Sequence, residues 1–138
     1  MNKKIVEIIP VLGLPEFKKN DDLLKILKDA LKVNKLNLVE VDVLIITQKI
    51  ISKIEDMIVD LNDININKLL ENESTQILRK RGETIISRTK HGFICANAGI
   101  DKSNIDVGYA LLLPEDPDKT ASKIRRKLKA EYGINVAI

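Results

Sequence analysis

Two short segments of the sequence hold the side chains best suited to chemistry, and the first is residues 47–53. It places Lys49 and Lys53 four residues apart among hydroxyl and amide side chains. A lysine ammonium is a compact charge that suits phosphate oxygens, and ligands of open α/β sheets usually bind beyond the carboxyl end of a strand, such as the one predicted at residues 41–47. The alternative is that these lysines only solvate a strand end, and the local chemistry alone favours that interpretation.

The second segment, residues 91–104, concentrates oxygen-bearing and turn-forming residues. Asn97, Asp101 and Asn104 stand there among small residues and glycines, a density that a plain strand does not need. An aspartate flanked by asparagine and serine can ligate a hard cation, since Mg²⁺ typically takes one or two protein carboxylates together with phosphate oxygens. An Asx turn, in which Asp101 or Asn104 bonds its own backbone, explains the same residues. Their spacing leaves both interpretations open.

His91 and Cys95, in the same segment, are better explained by structure than by catalysis. The chain holds one histidine and one cysteine, so the sequence excludes a paired-histidine metal site and an internal disulfide. Cys95 lies in an apolar run, which is typical of a small core residue. Neither a phosphate-binding P-loop nor a dinucleotide-binding glycine motif occurs in the sequence.

The elements that must position these segments are mixed helices and strands. Helical spacing of apolar residues predicts helices at residues 20–32, 66–81 and 116–133. Strands are predicted at residues 5–12, 41–47, 58–61, 84–89, 93–96, 109–113 and 134–138. The run at 41–47 is apolar almost throughout, which is typical of a central strand covered on both faces. We therefore predict a single domain of the mixed α/β (α+β) class, with a central mixed sheet and flanking helices.

Capping residues mark where the predicted helices begin and end. The first helix has an acidic cap at Asp22, and the last begins with Asp116 and Pro117 and stops at Gly133. Gly82 is available to end the middle helix. We therefore expect the first and last helices to be the best-defined elements.

Length and composition exclude several classes of protein. A chain of 138 residues with 44% hydrophobic side chains can bury a core of its own. No apolar run reaches the roughly 18 to 20 residues of a membrane span, and the lone cysteine suits a reducing compartment, so we expect a cytoplasmic protein without a membrane partner. A net charge of +3 and an aromatic content of 3% give little material for nucleic-acid binding, which we do not expect.

Several motifs stand in an order that is characteristic of one enzyme family. The longest is residues 91–104, which end in Asn-Ala-Gly-Ile-Asp-Lys-Ser-Asn, and residues 111–118 and 121–125 continue it. Residues 13–16 and 42–53 precede it along the chain. Together these motifs closely resemble the coenzyme F420:L-glutamate ligase family, and the resemblance covers nearly the whole sequence.

The resemblance implies a GTP-dependent ligase that adds L-glutamate to the coenzyme F420 precursor through γ-linked amide bonds. The implied chemistry passes the γ-phosphoryl group of GTP to a substrate carboxylate, giving an acyl phosphate that the glutamate amine attacks. Mg²⁺ or Mn²⁺ assists, and K⁺ is a further candidate cation. Phosphoryl transfer depends mainly on positioning and electrostatics, so such a site needs cations around the phosphates.

Matched position by position, the resemblance also implies particular site residues. Those that would line the GTP site are Leu14, Pro15, Glu16 and Phe17. Those that would contact the nucleotide are Gln48, Lys49, Lys53 and Asn104. Asp101 would bind the metal ion.

The resemblance further implies that residues 1–138 are the amino-terminal portion of the ligase fold, truncated at the carboxy-terminal end. Family members continue past the position of Ile138 into a second half that supplies acidic metal ligands. Residues 134–138 would then leave an apolar strand edge uncovered, and such an edge recruits another strand. We therefore expect a homodimer or a complex with a carboxy-terminal half chain. The alternative is a degenerate protein of the same fold that binds a nucleotide or deazaflavin without catalysis.

Overall fold

Helices and strands are interleaved along the part of the chain that the computed structural model describes, residues 5–103 and 105–138. The helices are α1 Leu23–Val33, α2 Gln48–Ile54, α3 Ile66–Asn72 and α4 Pro117–Tyr132. The strands are β1 Ile58–Asp60, β2 Ser74–Arg81, β3 Thr84–Thr89, β4 Ile94–Ala96 and β5 Tyr109–Leu111, and a 3₁₀ turn occupies Asn97–Gly99. No helix in these ranges is both long enough and apolar enough to cross a bilayer.

The strands form two small antiparallel sheets. One sheet has the order β2-β3-β4, and β1 pairs with β5 in the other. The mixed α/β class predicted from the sequence is confirmed. The single central mixed sheet is not found among the described residues, because the run predicted to be its central strand has no regular strand neighbour.

The first and last helices begin and end where their capping residues predict. The Asp22 carboxylate accepts a hydrogen bond from the Lys25 amide at 3.2 Å, and Asp116 accepts one from the Lys119 amide at 2.9 Å. Gly133 ends α4 in the left-handed conformation, with φ 68°. These local bonds satisfy backbone groups that a helix terminus leaves without partners, so the boundaries can be predicted from sequence.

Two hydrophobic clusters lie in the interior of the described chain. The larger joins α1, α2 and α4 to two extended segments through buried residues that are, in chain order, Leu24, Leu27, Leu44, Ile51, Ile124, Leu128 and Val136. The smaller packs α3 against β5 through Leu69, Ala110 and Leu112. The helix α2 lies beside both, because it contributes to the first cluster and contacts β5.

The helix predicted at residues 66–81 is wrong in its second half. The helix α3 ends at Asn72, and β2 begins at Ser74 and pairs with β3. Arg81 pairs with Thr84, so Gly82, with φ 59°, belongs to a two-residue hairpin turn instead of a helix end. Pairing with a later strand outweighs the local helical spacing, and that pairing is not visible within the segment itself.

Three apolar runs predicted as strands are not regular strands in the described chain. Residues 41–47 and 134–138 meet in one parallel bridge between Val43 and Ala137, and the Leu44 amide donates to the Ala137 carbonyl at 2.8 Å. Residues 5–12 form neither helix nor strand. A strand requires a ladder of hydrogen bonds to a neighbour, and within the described residues these runs have at most that single bridge.

Candidate functional site

The helix α2 places two lysines on one face. Lys49 and Lys53 are four residues apart within Gln48–Ile54, and residues at that spacing lie one above the other along a helix. The sequence analysis located these lysines beyond an apolar run without predicting the helix that carries them. The signal that it missed is the recurrence of Ile50, Ile51 and Ile54, which is compatible with one short helix.

This face of α2 borders a small cavity beside the loop that follows the first apolar run. The cavity has a volume of about 160 Å³. Its lining residues are Leu14, Pro15, Glu16, Phe17, Thr47, Lys49, Ile50 and Lys53. The loop residues and both lysines singled out in the sequence therefore share one cavity. Thr47 and Ile50, from the same 47–53 segment, also line the cavity.

Lys53 lies at the inner side of this cavity and forms an ion pair with Glu16. The Lys53 side chain is only 10% exposed, whereas that of Glu16 is 74% exposed, and the Lys53 ammonium donates to Glu16 Oε1. This hydrogen bond and the charge of Lys53 lower the pKa of Glu16. A carboxylate on an exposed loop thus covers a largely buried cation, and any anion that enters the cavity must compete with it.

Lys49 forms the second ion pair of the site, with Asp101. Its Nζ lies 3.0 Å from Asp101 Oδ2 and 3.1 Å from Ser103 Oγ. Burial disfavours the charged form of Asp101, but hydrogen bonds from Ser103 and Lys49, together with the charge of Lys49, outweigh it and lower the pKa of this carboxyl group. Asp101 is therefore ionised at neutral pH.

Lys49 connects the cavity to Asp101, which is not itself a lining residue. The charge of Lys49 also contributes to the lowered pKa of Glu16, so it acts on both carboxylates. Two lysines and two carboxylates form one continuous array along α2. Lys53 and Asp101 both belong to this array, with Lys49 acting on the carboxylates at either end.

Asp101 offers a metal ion one carboxylate that already has partners. Its Oδ1 accepts hydrogen bonds from the Ser103 amide at 2.7 Å and the Ser103 hydroxyl at 2.6 Å, the geometry of an Asx turn. Over residues 5–103 and 105–138, no group of three or more His, Cys, Asp or Glu side chains could hold a metal. A divalent cation at Asp101 fits only if phosphate oxygens, water or another polypeptide supply its other ligands.

Gln48 and Asn104 stand apart from this array in different ways. The Gln48 amide donates to Ser52 Oγ at 2.6 Å and to the Leu112 carbonyl at 3.1 Å. It borders a separate, mainly apolar cavity of about 340 Å³, so the structure does not bring it to the lysine cavity. Asn104 lies outside the residues that the structure describes.

The remaining polar residues of the 91–101 segment hold the fold. The Asn97 side-chain oxygen accepts from the Ile85 amide at 3.0 Å, which ties the 3₁₀ turn to β3. His91 Nε2 lies 2.9 Å from the Glu115 carbonyl, and its ring stacks on Phe93. Burial raises the pKa of the Cys95 thiol, which keeps it protonated at neutral pH. The contacts of His91 fit the structural role predicted for it. Cys95, however, is half-buried and belongs to neither hydrophobic cluster, so the structure does not place it in the core as the sequence predicts.

The chain is similar in sequence to ligases that act on one coenzyme. The profile of the F420-0:Gamma-glutamyl ligase family matches residues 12–138. Coenzyme F420:L-glutamate ligase from Methanothermobacter thermautotrophicus is 35% identical over 96% of this chain and 60% of its own length. The ligases of the same name from Methanopyrus kandleri and Archaeoglobus fulgidus are 30% and 32% identical, each over 96% of this chain and 58% of its own length. The chain thus spans about three fifths of these relatives, corresponding to their amino-terminal portion.

Proposed function

Because the chain belongs to the F420-0:gamma-glutamyl ligase family, we propose that it forms the GTP-binding side of an enzyme that joins L-glutamate to the coenzyme F420 precursor. The γ-phosphoryl group of GTP passes to a carboxylate of the precursor and GDP leaves. The glutamate amine then displaces phosphate from the acyl phosphate and loses a proton to form an amide, which is γ-linked when the activated carboxylate is the γ-carboxylate of a glutamate already attached. The observation that supports this proposal best is the pair of lysines that share one cavity with the 14–17 loop.

The size and charge of the cavity suit the phosphates rather than the whole nucleotide. Pockets that enclose complete small ligands usually measure about 300 to 1,000 Å³, whereas this cavity measures about 160 Å³. Lys49 and Lys53 contribute two positive charges along its wall. Fixed cations of this kind stabilise the charge that develops on phosphoryl oxygens, which is the main protein contribution to phosphoryl transfer.

Binding of the phosphates requires Glu16 to leave Lys53. Glu16 is mostly exposed, so its carboxylate can turn into solvent without a desolvation cost, while Lys53 stays in place on α2. The phosphates then take over the hydrogen bond that Glu16 accepts in the ligand-free site. In this scheme Glu16 keeps the inner lysine paired until the nucleotide arrives.

Asp101 is the residue that would hold Mg²⁺ or Mn²⁺ in this proposal, with K⁺ a further candidate cation. A divalent ion supplies charge neutralisation between the phosphates. Since Asp101 faces Lys49 at 3.0 Å, the phosphates that draw Lys49 away also release a carboxylate oxygen for the ion. Nucleotide and metal should therefore bind cooperatively.

We also propose that a second polypeptide completes the site, either another copy of the chain or a carboxy-terminal half chain. The three relatives are longer than the matched portion by roughly two fifths of their length. Glutamate and the coenzyme precursor then bind where the two polypeptides meet. We expect the chain by itself to bind GTP, and the assembled protein to join glutamate to the coenzyme precursor.

Calorimetry of GTP binding by the Lys53→Met variant tests the nucleotide site. Methionine keeps the apolar stem of the buried side chain and removes its charge, so binding in the presence of Mg²⁺ or Mn²⁺ should weaken at least about tenfold, as expected for loss of a charged hydrogen bond. Lys19→Met is the matched control, because Lys19 pairs with Asp56 on an exposed surface. Equal affinities in the wild-type protein and Lys53→Met would contradict the assignment.

A ligation assay separates the enzyme from a binding protein of the same fold. The chain is mixed with GTP, a divalent cation, K⁺, glutamate and the coenzyme precursor, with and without the carboxy-terminal part of a relative. Glutamylated product in either mixture supports the ligase. Metal-dependent GTP binding without product in any mixture would indicate a protein that binds nucleotide but does not catalyse.

A further inference from the structure

The extended segment at residues 41–46 is covered on one face only. Leu44 is 8% exposed and packs into the larger hydrophobic cluster, whereas Val41, Val43 and Ile45 are 88%, 64% and 79% exposed. Side chains alternate between the two faces of an extended chain, so Val43 and Ile45 lie on the face opposite Leu44. Val41, in the turn at residues 40–41, adds a third exposed apolar side chain beside them. The sequence predicts that both faces of this segment are buried. Among the described residues, other side chains pack only against its inner face, which carries Leu44.

One backbone edge of this segment is also open. The Leu44 amide donates to the Ala137 carbonyl at 2.8 Å, which fixes the side on which residues 134–138 lie. Neighbouring amides in an extended chain point to opposite sides, so the Val43 and Ile45 amides face away from Ala137. Within residues 5–103 and 105–138, neither of these two amides donates to another backbone group.

An apolar cavity adjoins the same segment. It measures about 340 Å³ and lies between residues 43–46, α2 and the first turns of α4. Val43, Ile45 and Ile138 contribute to its wall. Exposed apolar side chains and an apolar cavity thus form one continuous surface, which we call the 41–46 face. Such a patch, beside an unpaired strand edge, is typical of an interaction surface.

We propose that the 41–46 face binds the polypeptide that corresponds to the carboxy-terminal two fifths of the relatives, with one of its strands pairing along the open edge of residues 41–46. The inference rests on the proposed function, since it locates the second polypeptide which that function requires. The occupant of the 41–46 face is the carboxy-terminal half and not a second copy of the chain.

The greater length of the relatives points to this occupant. The profile matches up to Ile138, and Ile138 lines the apolar cavity. The relatives hold roughly two fifths of their length outside the matched portion, and we infer that this part of the ligase fold lies against the 41–46 face.

The added strand supplies hydrogen-bond partners for the open backbone edge and cover for the exposed apolar side chains. Backbone hydrogen bonds to the Val43 and Ile45 amides extend the single bridge into a sheet. Side chains from the same polypeptide cover Val41, Val43 and Ile45 and close the cavity. Because both faces of the segment are then buried, the apolar composition of residues 41–46 is explained by burial.

Co-purification tests the proposal. The chain is co-expressed with the tagged carboxy-terminal part of the Methanothermobacter thermautotrophicus relative and, separately, with that of Archaeoglobus fulgidus, and the recovered complex is quantified by mass. We expect a one-to-one complex with at least one of them, together with slowed hydrogen exchange at the Val43 and Ile45 amides. Failure to recover either complex would overturn the proposal.

Charge substitutions on the surface locate the contact. Val43→Asp and Ile45→Asp should each reduce the recovered complex by about tenfold or more, because burial of an unpaired carboxylate opposes docking. Val107→Asp is the matched control, since Val107 is fully exposed outside the 41–46 face. Equal recovery of all three variants would place the contact elsewhere. Slowed exchange at residues 43 and 45 that depends only on the concentration of the chain itself would assign the face to a second copy and overturn the proposal.

The ligation assay distinguishes this proposal from the proposed function. A complex that forms through the 41–46 face but makes no glutamylated product leaves the docking proposal standing and contradicts the ligase. Conversely, ligation by the chain without any second polypeptide supports the ligase and contradicts the docking proposal.

Discussion

Glu16 and Asp101 differ in how deeply they are buried and in how many groups bind their carboxylates. Glu16 reaches from an exposed loop to a largely buried lysine, whereas Asp101 is itself partly buried and shares its carboxylate between Lys49 and Ser103. The first pair is easily exchanged for another anion, and the second is held by several bonds. The two carboxylates should therefore respond differently to substitution.

We predict that Glu16→Gln binds GTP several-fold more tightly than the wild-type chain. Glutamine keeps the size of the side chain but removes the negative charge that competes for Lys53. Calorimetry with and without Mg²⁺ measures the change, and Glu40→Gln is the control because Glu40 is exposed and outside the lysine cavity. Weaker binding by Glu16→Gln would mean that the Glu16 carboxylate itself contacts the nucleotide.

We predict that Asp101→Asn destabilises the chain at pH 7 by about 1 kcal/mol, the size of a partly exposed ion pair with hydrogen bonds. The folded protein lowers the pKa of Asp101, so its stabilising contribution is present above the ordinary aspartate pKa and is lost as pH falls through the lower, folded value. Urea unfolding at pH 7 and near pH 3 should show the difference shrinking in acid.

Asp63→Asn serves as the control for the pH series, since Asp63 lies on an exposed turn. Its free energy of unfolding should stay close to that of the wild-type chain at both pH values. A deficit in Asp101→Asn that grows toward acid would contradict the ionised assignment of this residue.

Gly99, at the end of the 3₁₀ turn, helps to fix the position of Asp101. It lies two residues before Asp101 with φ +75°, and a Cβ added there would lie 2.8 Å from the Leu113 side chain. Both the left-handed backbone and the close approach to Leu113 favour glycine. This residue therefore sets the path of the chain into the Asp101 turn.

We predict that Gly99→Ala lowers the free energy of unfolding by about 2 to 3 kcal/mol, combining the cost of a left-handed alanine with that of overpacking. Gly92→Ala is the control, since Gly92 also has a positive φ but a Cβ there has open space around it. Chemical denaturation of the two variants measures the difference. Equal losses would show that Leu113 moves aside at no cost.

The elements differ in how far the sequence alone predicts them. The helices α1 and α4 were predictable because Asp22, Asp116 and Gly133 satisfy groups within a few residues of themselves. The second half of the 66–81 helix was predicted wrongly because β2 is stabilised by pairing with β3, which depends on residues outside the segment. A local sequence pattern therefore predicts an element correctly when hydrogen bonds within that segment determine its structure.

The candidate site was predictable only in part for the same reason. The motifs around the 14–17 loop, Lys49 and Lys53 identified residues that the fold gathers into one cavity. The contacts of Lys49 with Asp101 and Ser103 join positions more than 50 residues apart, and spacing along the chain carries no information about them. Gln48 was grouped with the lysines by sequence, but one step along a helix turns its side chain toward a different cavity.

Residues 134–138 are partly buried, although within residues 5–103 and 105–138 their only β-bridge joins Ala137 to Val43. Val136 is fully buried in the cluster formed by α1, α2 and α4. Packing rather than a hydrogen-bond ladder therefore holds this segment. The parallel bridge between Val43 and Ala137 depends on that packing.

We predict that Val136→Ala lowers the free energy of unfolding by about 2 kcal/mol, because it removes buried methyl groups and leaves a cavity. Val107→Ala, at a fully exposed position, should change it by less than about 0.5 kcal/mol. Thermal and urea unfolding measure both. A neutral Val136→Ala would indicate that residues 134–138 are not held by the cluster in solution.

The position of α2 between the two hydrophobic clusters has a consequence for the whole chain. This helix contributes Ile51 to the larger cluster, while its Lys49 is paired with Asp101, whose neighbour Ile100 packs against the smaller one. An anion bound by both Lys49 and Lys53 would therefore connect the larger hydrophobic cluster to the smaller one. Occupancy of one small cavity would then raise the resistance of the entire chain to unfolding, as linkage requires of any ligand that prefers the folded state.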